Sequence, residues 1–364
     1  MPRSNAPLPG DKPQPPIPPL SSAPGRPRTA VPGAGVWALA GTAFLLLLAW
    51  RLAPVLLLAF AGVLMALALL QASELLRRLW PLSPRLALLM VVLALVLLVA
   101  GGSWLAGAGV AEQLLSLRDT LPQAMVAVKK WLSGHAPGRW VLATWTAAAA
   151  KPDDWWQFAG LATNAVNATI GAIGVLVLVV AIGLYLAADP DTYRKGLLRL
   201  VPPARRPLAS HALAAAGHQL SRWLLGQGVS MLAVGLLTGL GLLLIGMPLL
   251  LPLALVAGLL EFVPYFGPMI SGVFIVAVAL TEGESMALWA AVVCVAVQQT
   301  EAYVVQPLAQ RWAVRLPPVL GMLAVLIFGV LFGLPGALLA VPLMVLTMTL
   351  VDELYVRAAL EHKT

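Results

Sequence analysis

The chain has 364 residues, 60% hydrophobic and only 10% charged, with a formal net charge of +8 and a mean hydropathy of +0.90. A soluble globular protein carries roughly 45–50% apolar and about 25% charged residues, so a cytosolic enzyme is excluded. The basic excess reads as lysine and arginine held in the cytoplasmic loops of a membrane protein, and no nucleic-acid partner is expected.

Residues 1–33 hold 11 of the 30 prolines and almost no large apolar side chains. Such a stretch cannot bury enough surface to offset its ordering entropy, which predicts a disordered, Pro-rich cytoplasmic tail. A transmembrane domain is expected over 34–360. Its apolar runs, judged against the ~20 residues that a crossing helix needs, are Val36–Trp50, Leu52–Gln71, Leu86–Leu105, Ala168–Ala187, Val229–Gly246, Leu249–Leu280, Met286–Val305 and Val319–Leu350. The expected fold is all-α and polytopic, with about eight transmembrane segments. Leu249–Leu280 and Val319–Leu350 are too long for one untilted crossing and contain Pro and Gly, so each is a broken helix or a re-entrant hairpin.

Basic residues set the orientation. The tail carries Arg3, Lys12, Arg26 and Arg28, the second loop Arg77, Arg78 and Arg85, and residues 189–228 carry Arg194, Lys195, Arg199, Arg205, Arg206 and Arg222. The tail and the basic segment 189–228 are therefore expected to be cytoplasmic. Residues 106–167 form an external amphipathic segment. There Leu114, Leu117, Leu121, Met125, Val128 and Leu132 recur at three- and four-residue steps, one apolar helical face. Pro122 is expected to interrupt that helix, and Trp131, Trp140, Trp145, Trp155 and Trp156 follow. The layer lies on the bilayer or packs against its neighbours. In the basic segment, His211 and His218 read as a solvated helix face.

Charge inside the apolar C-terminal part is the main functional signal. Between Val229 and Val305 the ionisable groups outside residues 281–285 are Glu261, Glu301 and the weak acids Tyr265, Cys294 and Tyr303. A charge at the bilayer centre costs about 2.5–3.5 kcal/mol on insertion scales, so a hydrated cavity, a donor or a proton must offset it. Glu261 opens the octet E-F-V-P-Y-F-G-P. Pro264 and Pro268 each remove a backbone donor, and Gly267 tolerates conformations closed to other residues. Irregular backbone in a membrane survives only where it is buried or lines a cavity, and transporters aim such breaks at a solute. The plainer alternative is a structural kink. Glu301 follows Gln298, Gln299 and Thr300, and Gln298 shares its helical face; a lining surface and simple interhelical hydrogen bonding weigh about equally. Gly235/Gly239 and Gly329/Gly333 are small pairs that admit close helix approach. Cys294, the single cysteine, excludes a disulfide scaffold and reads as a small buried hydrophobe.

No phosphate loop, HExxH pair, GxSxG elbow or CxxC occurs. No enzyme activity, cofactor or metal is expected, and secondary transport is the default.

The runs IGMPLLLPLALVAGLLEFVPYFGPMI, QQTEAYVVQPLAQRWAVRLPPVL and FGVLFGLPGALLAVPL appear in that order from about Gln219 onward. Together with Pro54, the basic second loop and Leu121-Pro122, they resemble the autoinducer-2 exporter family of bacterial inner-membrane permeases over roughly 35–360. The resemblance implies an eight-span permease of the inner membrane that forms homo-oligomers. It implies export of a small polar solute, or exchange of Na+ or another cation for H+. It places the helix break on Pro264, Gly267 and Pro268, polar transport positions on Glu261, Gln299 and Glu301, and a basic turn on Gln306, Pro307, Arg311, Arg315, Pro317 and Pro318. Glutamate before the break tilts the reading toward an ion-coupled antiporter, with Gln298 and Gln299 supporting the carboxyls. A membrane scaffold without transport is the rival; an intramembrane enzyme lacks a nucleophile–base pair.

Overall fold

The computed structural model describes residues 34–105, 107–135, 138–140, 174–310 and 317–360. The tail 1–33, Trp145, Trp155, Trp156, Arg311 and Arg315 lie outside the described residues. Two compact units are distinguished, Met1–Arg51 and Leu52–Thr364. Among the described residues all regular elements are helical, as an apolar chain that must satisfy its own backbone requires.

Helix α1 runs Ala34–Leu79 and α2 Pro84–Leu105. The two separate spans expected at Val36–Trp50 and Leu52–Gln71 are therefore one helix. Pro54 forfeits a single hydrogen bond inside it, whereas a turn in oil would expose several backbone groups. Helix α3, Gly107–Gly134, likewise continues through Pro122, against the expected interruption. Leu117 and Ala124 of α3 are buried in one core with the helices that follow, so the amphipathic layer packs on its neighbours.

Helix α4, Gly174–Ala188, meets α5, Pro190–Arg199, at 88°. Glycine lets α4 and α1 touch: a Cβ on Gly62 would run into Ile182, and one on Gly183 into Met65. Helix α6, Arg206–Leu244, is inverted relative to a soluble helix. Ser230, Val234, Thr238 and Leu242, at four-residue steps, face inward, while Leu232, Leu236 and Leu240 are exposed. Small polar groups inside and leucine outside is the pattern of a helix solvated by lipid.

Helices α7, Leu250–Leu260, and α8, Phe266–Glu282, form the first hairpin. At about 16 and 25 Å neither arm spans the ~30 Å hydrocarbon. Helix α9, Glu284–Thr300, packs on α8 and α6, and a π-turn follows at Glu301–Val305. Helix α10 is Gln306–Gln310 and α11 is Pro318–Val351. Gly333 of α11 leaves helical space at φ 66°, ψ −151°, and a Cβ on Gly329 would touch that of Ala337 at 3.5 Å. Residues eight apart meet only if the helix folds back, so α11 is a second hairpin. Gly333 is thus its bend, not half of a packing pair. Gly235 meets the Gly258 backbone and Gly239 the Ala254 side chain, which joins α6 to α7.

Among the described residues Trp50–Leu79, Pro203–Leu244, Glu284–Leu308 and Val319–Arg357 are long and apolar enough to cross a membrane, although the last folds back at Gly333. Counting the bent α4–α5 pair gives five, so the expected count of about eight is not reproduced. One shortfall is the merger of the first two runs across Pro54, a second is Leu249–Leu280, which folds into short arms, and the third is Leu86–Leu105, of which Pro84–Leu97 counts as a shorter apolar helix among the described residues.

Candidate functional site

The break between α7 and α8 is a defined turn. Val263 N–H donates to the Leu260 carbonyl at 3.0 Å and Gly267 N–H to the Val263 carbonyl at 2.8 Å. Phe266 N–H reaches back to the Pro264 carbonyl at 2.9 Å across Tyr265, which sits at φ 69°, ψ −46°. That is a γ-turn of the rarer hand, strained for any bulky residue. The expectation for Gly267 is corrected: its φ is not positive. Its missing side chain matters instead, because a Cβ there would overlap the Leu260 carbonyl oxygen. Pro268 occupies the first turn of α8, where a missing N–H costs no hydrogen bond.

Glu261 caps α7 and is 2% exposed. Its backbone carbonyl, freed by the break, accepts a hydrogen bond from Gln227 Nε2 on α6. Trp223, one turn earlier on α6, meets Phe262 edge to face at 5.7 Å between centroids. The Glu261 carboxyl faces that of Glu301, close enough for the two to interact electrostatically, and its Oε2 is buried without a hydrogen-bond partner. Ionised carboxylates only accept hydrogen bonds, so these two acids could share a bond only with a proton on one of them. Glu301 begins the π-turn, whose widened backbone carries the Gln306 N–H to the Glu301 carbonyl. Such turns recur at functional sites.

Beside the pair, Glu301, Gln298, Thr238, Ser271, Cys294 and Pro268 line part of a cavity of about 20 Å³, room for about one water. Gln298 therefore joins Glu301 as the shared face requires, while Gln299 is exposed and does not line the cavity. Gln306 is half-buried and Pro307 exposed on α10; Pro317 caps α11 and Pro318 opens it, away from the carboxyl pair's lining. Sequence reasoning missed Gln227, Thr238 and Ser271. Their only signal was a four-residue polar recurrence on α6 and an isolated serine on α8.

Two further features flank the site. At the far end of the first hairpin, an open cleft of about 940 Å³ separates Gln123, Lys130, Trp131 and His135 of α3 from Thr281 and Glu284. At the other end of α6, buried Glu353 binds Arg357 Nη1 at 2.8 Å and His211 Nδ1 at 3.1 Å. His211 is exposed, as expected of a solvated face, and its ring nitrogen is a hydrogen-bond partner of Glu353.

Leucine-faced helices, two folded hairpins and a buried carboxyl beside a half-buried one at a backbone break define a multi-pass helical membrane protein. The model of the family described as AI-2E family transporter matches residues 39–356, and the chain belongs to that family. It is 28% identical over 188 residues to "Putative transport protein YrrI" of Bacillus subtilis (strain 168), covering 51% of this chain and 53% of that protein. It is 43% identical over 105 residues to "Putative transport protein MT0215" of Mycobacterium tuberculosis (strain CDC 1551 / Oshkosh), covering 29% of each. It is 29% identical over 170 residues to "Putative permease PerM" of Escherichia coli (strain K12), covering 46% and 48%. The aligned parts thus span about half or less of these relatives.

Proposed function

We propose that the chain is a secondary transporter of the bacterial inner membrane that moves a small polar solute or a cation, coupled to H+ or Na+ through Glu261 and Glu301. The observation that carries this reading is the Glu261 carboxyl, 2% exposed, set against the second acid Glu301 with one oxygen unpartnered. A purely structural kink gains nothing from two acids in contact, since their repulsion and desolvation must both be offset. A proton passed between them, or a cation displacing it, offsets both. The γ-turn and the π-turn place both acids where backbone has left the helical ladder, which gives the pair room to rearrange. The permease domain is taken as 34–360, with 189–228 and the tail cytoplasmic and 106–167 external. The outer cleft between α3 and the first hairpin would then serve as a vestibule, and the exposed leucine rows suit assembly as a homo-oligomer in lipid.

The test is flux in sealed vesicles carrying purified protein, screened over cations and small polar metabolites under an imposed pH gradient. Glu261→Gln should lower flux at least about tenfold, a change worth only about 1.4 kcal/mol, and flatten its pH dependence. Wild-type flux with an unchanged pH profile would remove the pair from the mechanism. Flux absent from the native protein across the screen would favour the scaffold reading.

A further inference from the structure

We propose that α5, with the start of α6, is a docking surface for anionic phospholipid headgroups at the cytoplasmic face. The 88° bend between α4 and α5 is the first observation. If α4 lies along the membrane normal, α5 runs parallel to the surface. It cannot lie in hydrocarbon, because four of its ten residues, Asp191, Arg194, Lys195 and Arg199, are charged.

The second observation is the face that α5 leaves uncovered. Tyr193, Leu197 and Leu200 fall at four- and three-residue steps on one side, and all three are exposed, Leu200 by 82%. No α5 residue is buried. A soluble protein would not hold such a row in water, and a headgroup–acyl boundary accepts it.

Charge supplies the third argument. Lys195 and Arg85, in the first turn of α2, both act electrostatically on Asp189 at the bend, so the basic start of α2 lies near the basic α4–α6 segment. Arg194 is spent on Ser210, whose hydroxyl lies 2.9 Å away, and Arg206 on the Val201 carbonyl at 3.1 Å. Lys195, Arg199 and Arg205 are exposed, long enough to snorkel to phosphate level beside the apolar row, and outnumber the two acids of the segment. An acidic protein partner would satisfy the charges but not a helix laid flat at the end of a membrane-embedded one.

The experiment uses full-length protein in bilayer nanodiscs of phosphatidylcholine, with or without phosphatidylglycerol. A spin label at Leu197→Cys, in a Cys294→Ala background, should report the depth of the headgroup–acyl boundary. Phosphatidylglycerol should be enriched among co-purifying lipids, and Lys195→Ala/Arg199→Ala/Arg205→Ala should cut that enrichment, each charge being worth up to about fivefold. Lys195→Arg/Arg199→Lys/Arg205→Lys should retain it, which separates charge loss from misfolding. High salt should weaken the preference. A label exposed to water together with unchanged lipid enrichment in the alanine variant would overturn the proposal. So would a label shielded only when a soluble acidic protein is added.

Discussion

At the residue scale, the break shows how one missing atom and one strained residue set a site. Gly267→Ala places a methyl on the Leu260 carbonyl, and backbone cannot give way as a side-chain tip can. The expected cost is about 1–3 kcal/mol, seen as a lower thermal midpoint of the detergent-solubilised protein. Gly272→Ala, on the same helix, meets only the Cys294 Cβ at 4.0 Å and should be neutral or slightly stabilising. Equal effects of the two would mean that the close approach at Gly267 is unimportant. Gln227→Leu keeps the volume but strands the Glu261 carbonyl, at about 1–3 kcal/mol, and should impair flux while membrane insertion persists. The acids and the interruption were legible in the sequence because carboxyls are rare in oil and Pro-x-x-Gly-Pro is rare in a helix. Gln227 was not, since its significance depends on a carbonyl 34 positions away. The positive φ of Tyr265 was equally hidden, because nothing local asks a tyrosine to adopt it.

At the element scale, packing decided what periodicity left open. Pro122 reads as a breaker, yet it and Pro54 both sit inside continuous helices; at Pro54, inside an apolar run, losing one hydrogen bond costs less than opening the ladder where water is absent. The reverse holds at Gly333, where an apolar run without a charge folds on itself. Gly62 and Gly183 answer each other across α1 and α4, and Gly183→Val should force Met65 aside and cost about 1–3 kcal/mol. Circular dichroism melts should show it, and an unchanged midpoint would mean that α4 is held elsewhere. Helix α5 depends on its first residue. The Asp189 carboxyl accepts from the Thr192 hydroxyl at 2.6 Å and backbone N–H at 3.3 Å, and these bonds hold its pKa below the usual 3.8. A lowered folded pKa means that this stabilisation is complete above 3.8 and is lost as pH falls through the folded value. Helix α5 should therefore fray only in strong acid, and Asp189→Ala should fray it at neutral pH. Amide exchange over 190–199 measures both; identical protection in the variant would show that the cap is idle.

Across the whole molecule, the site is a junction of elements distant in sequence. Gln227 comes from α6, Glu261 from the first hairpin and Glu301 from the π-turn after α9, while Phe262, Val263 and Phe266 of the break pack into the core of the second hairpin around Ala324, Val325 and Phe328. On the proposed mechanism, a movement of one hairpin against α6 would alter the surroundings of both acids, and a proton on the pair would in turn bias that movement. If the two carboxyls act as one proton-holding unit, removing either removes its function. Glu261→Gln and Glu301→Gln should each depress vesicle flux, and the double variant should be no worse than the more damaged single. The coupling expected for residues in one buried network is about 0.5–3 kcal/mol. Losses that multiply in the double variant would show two independent acids. In that case Glu301 would be a lining residue like Gln298, and the nearness of the two carboxyls would be incidental to transport.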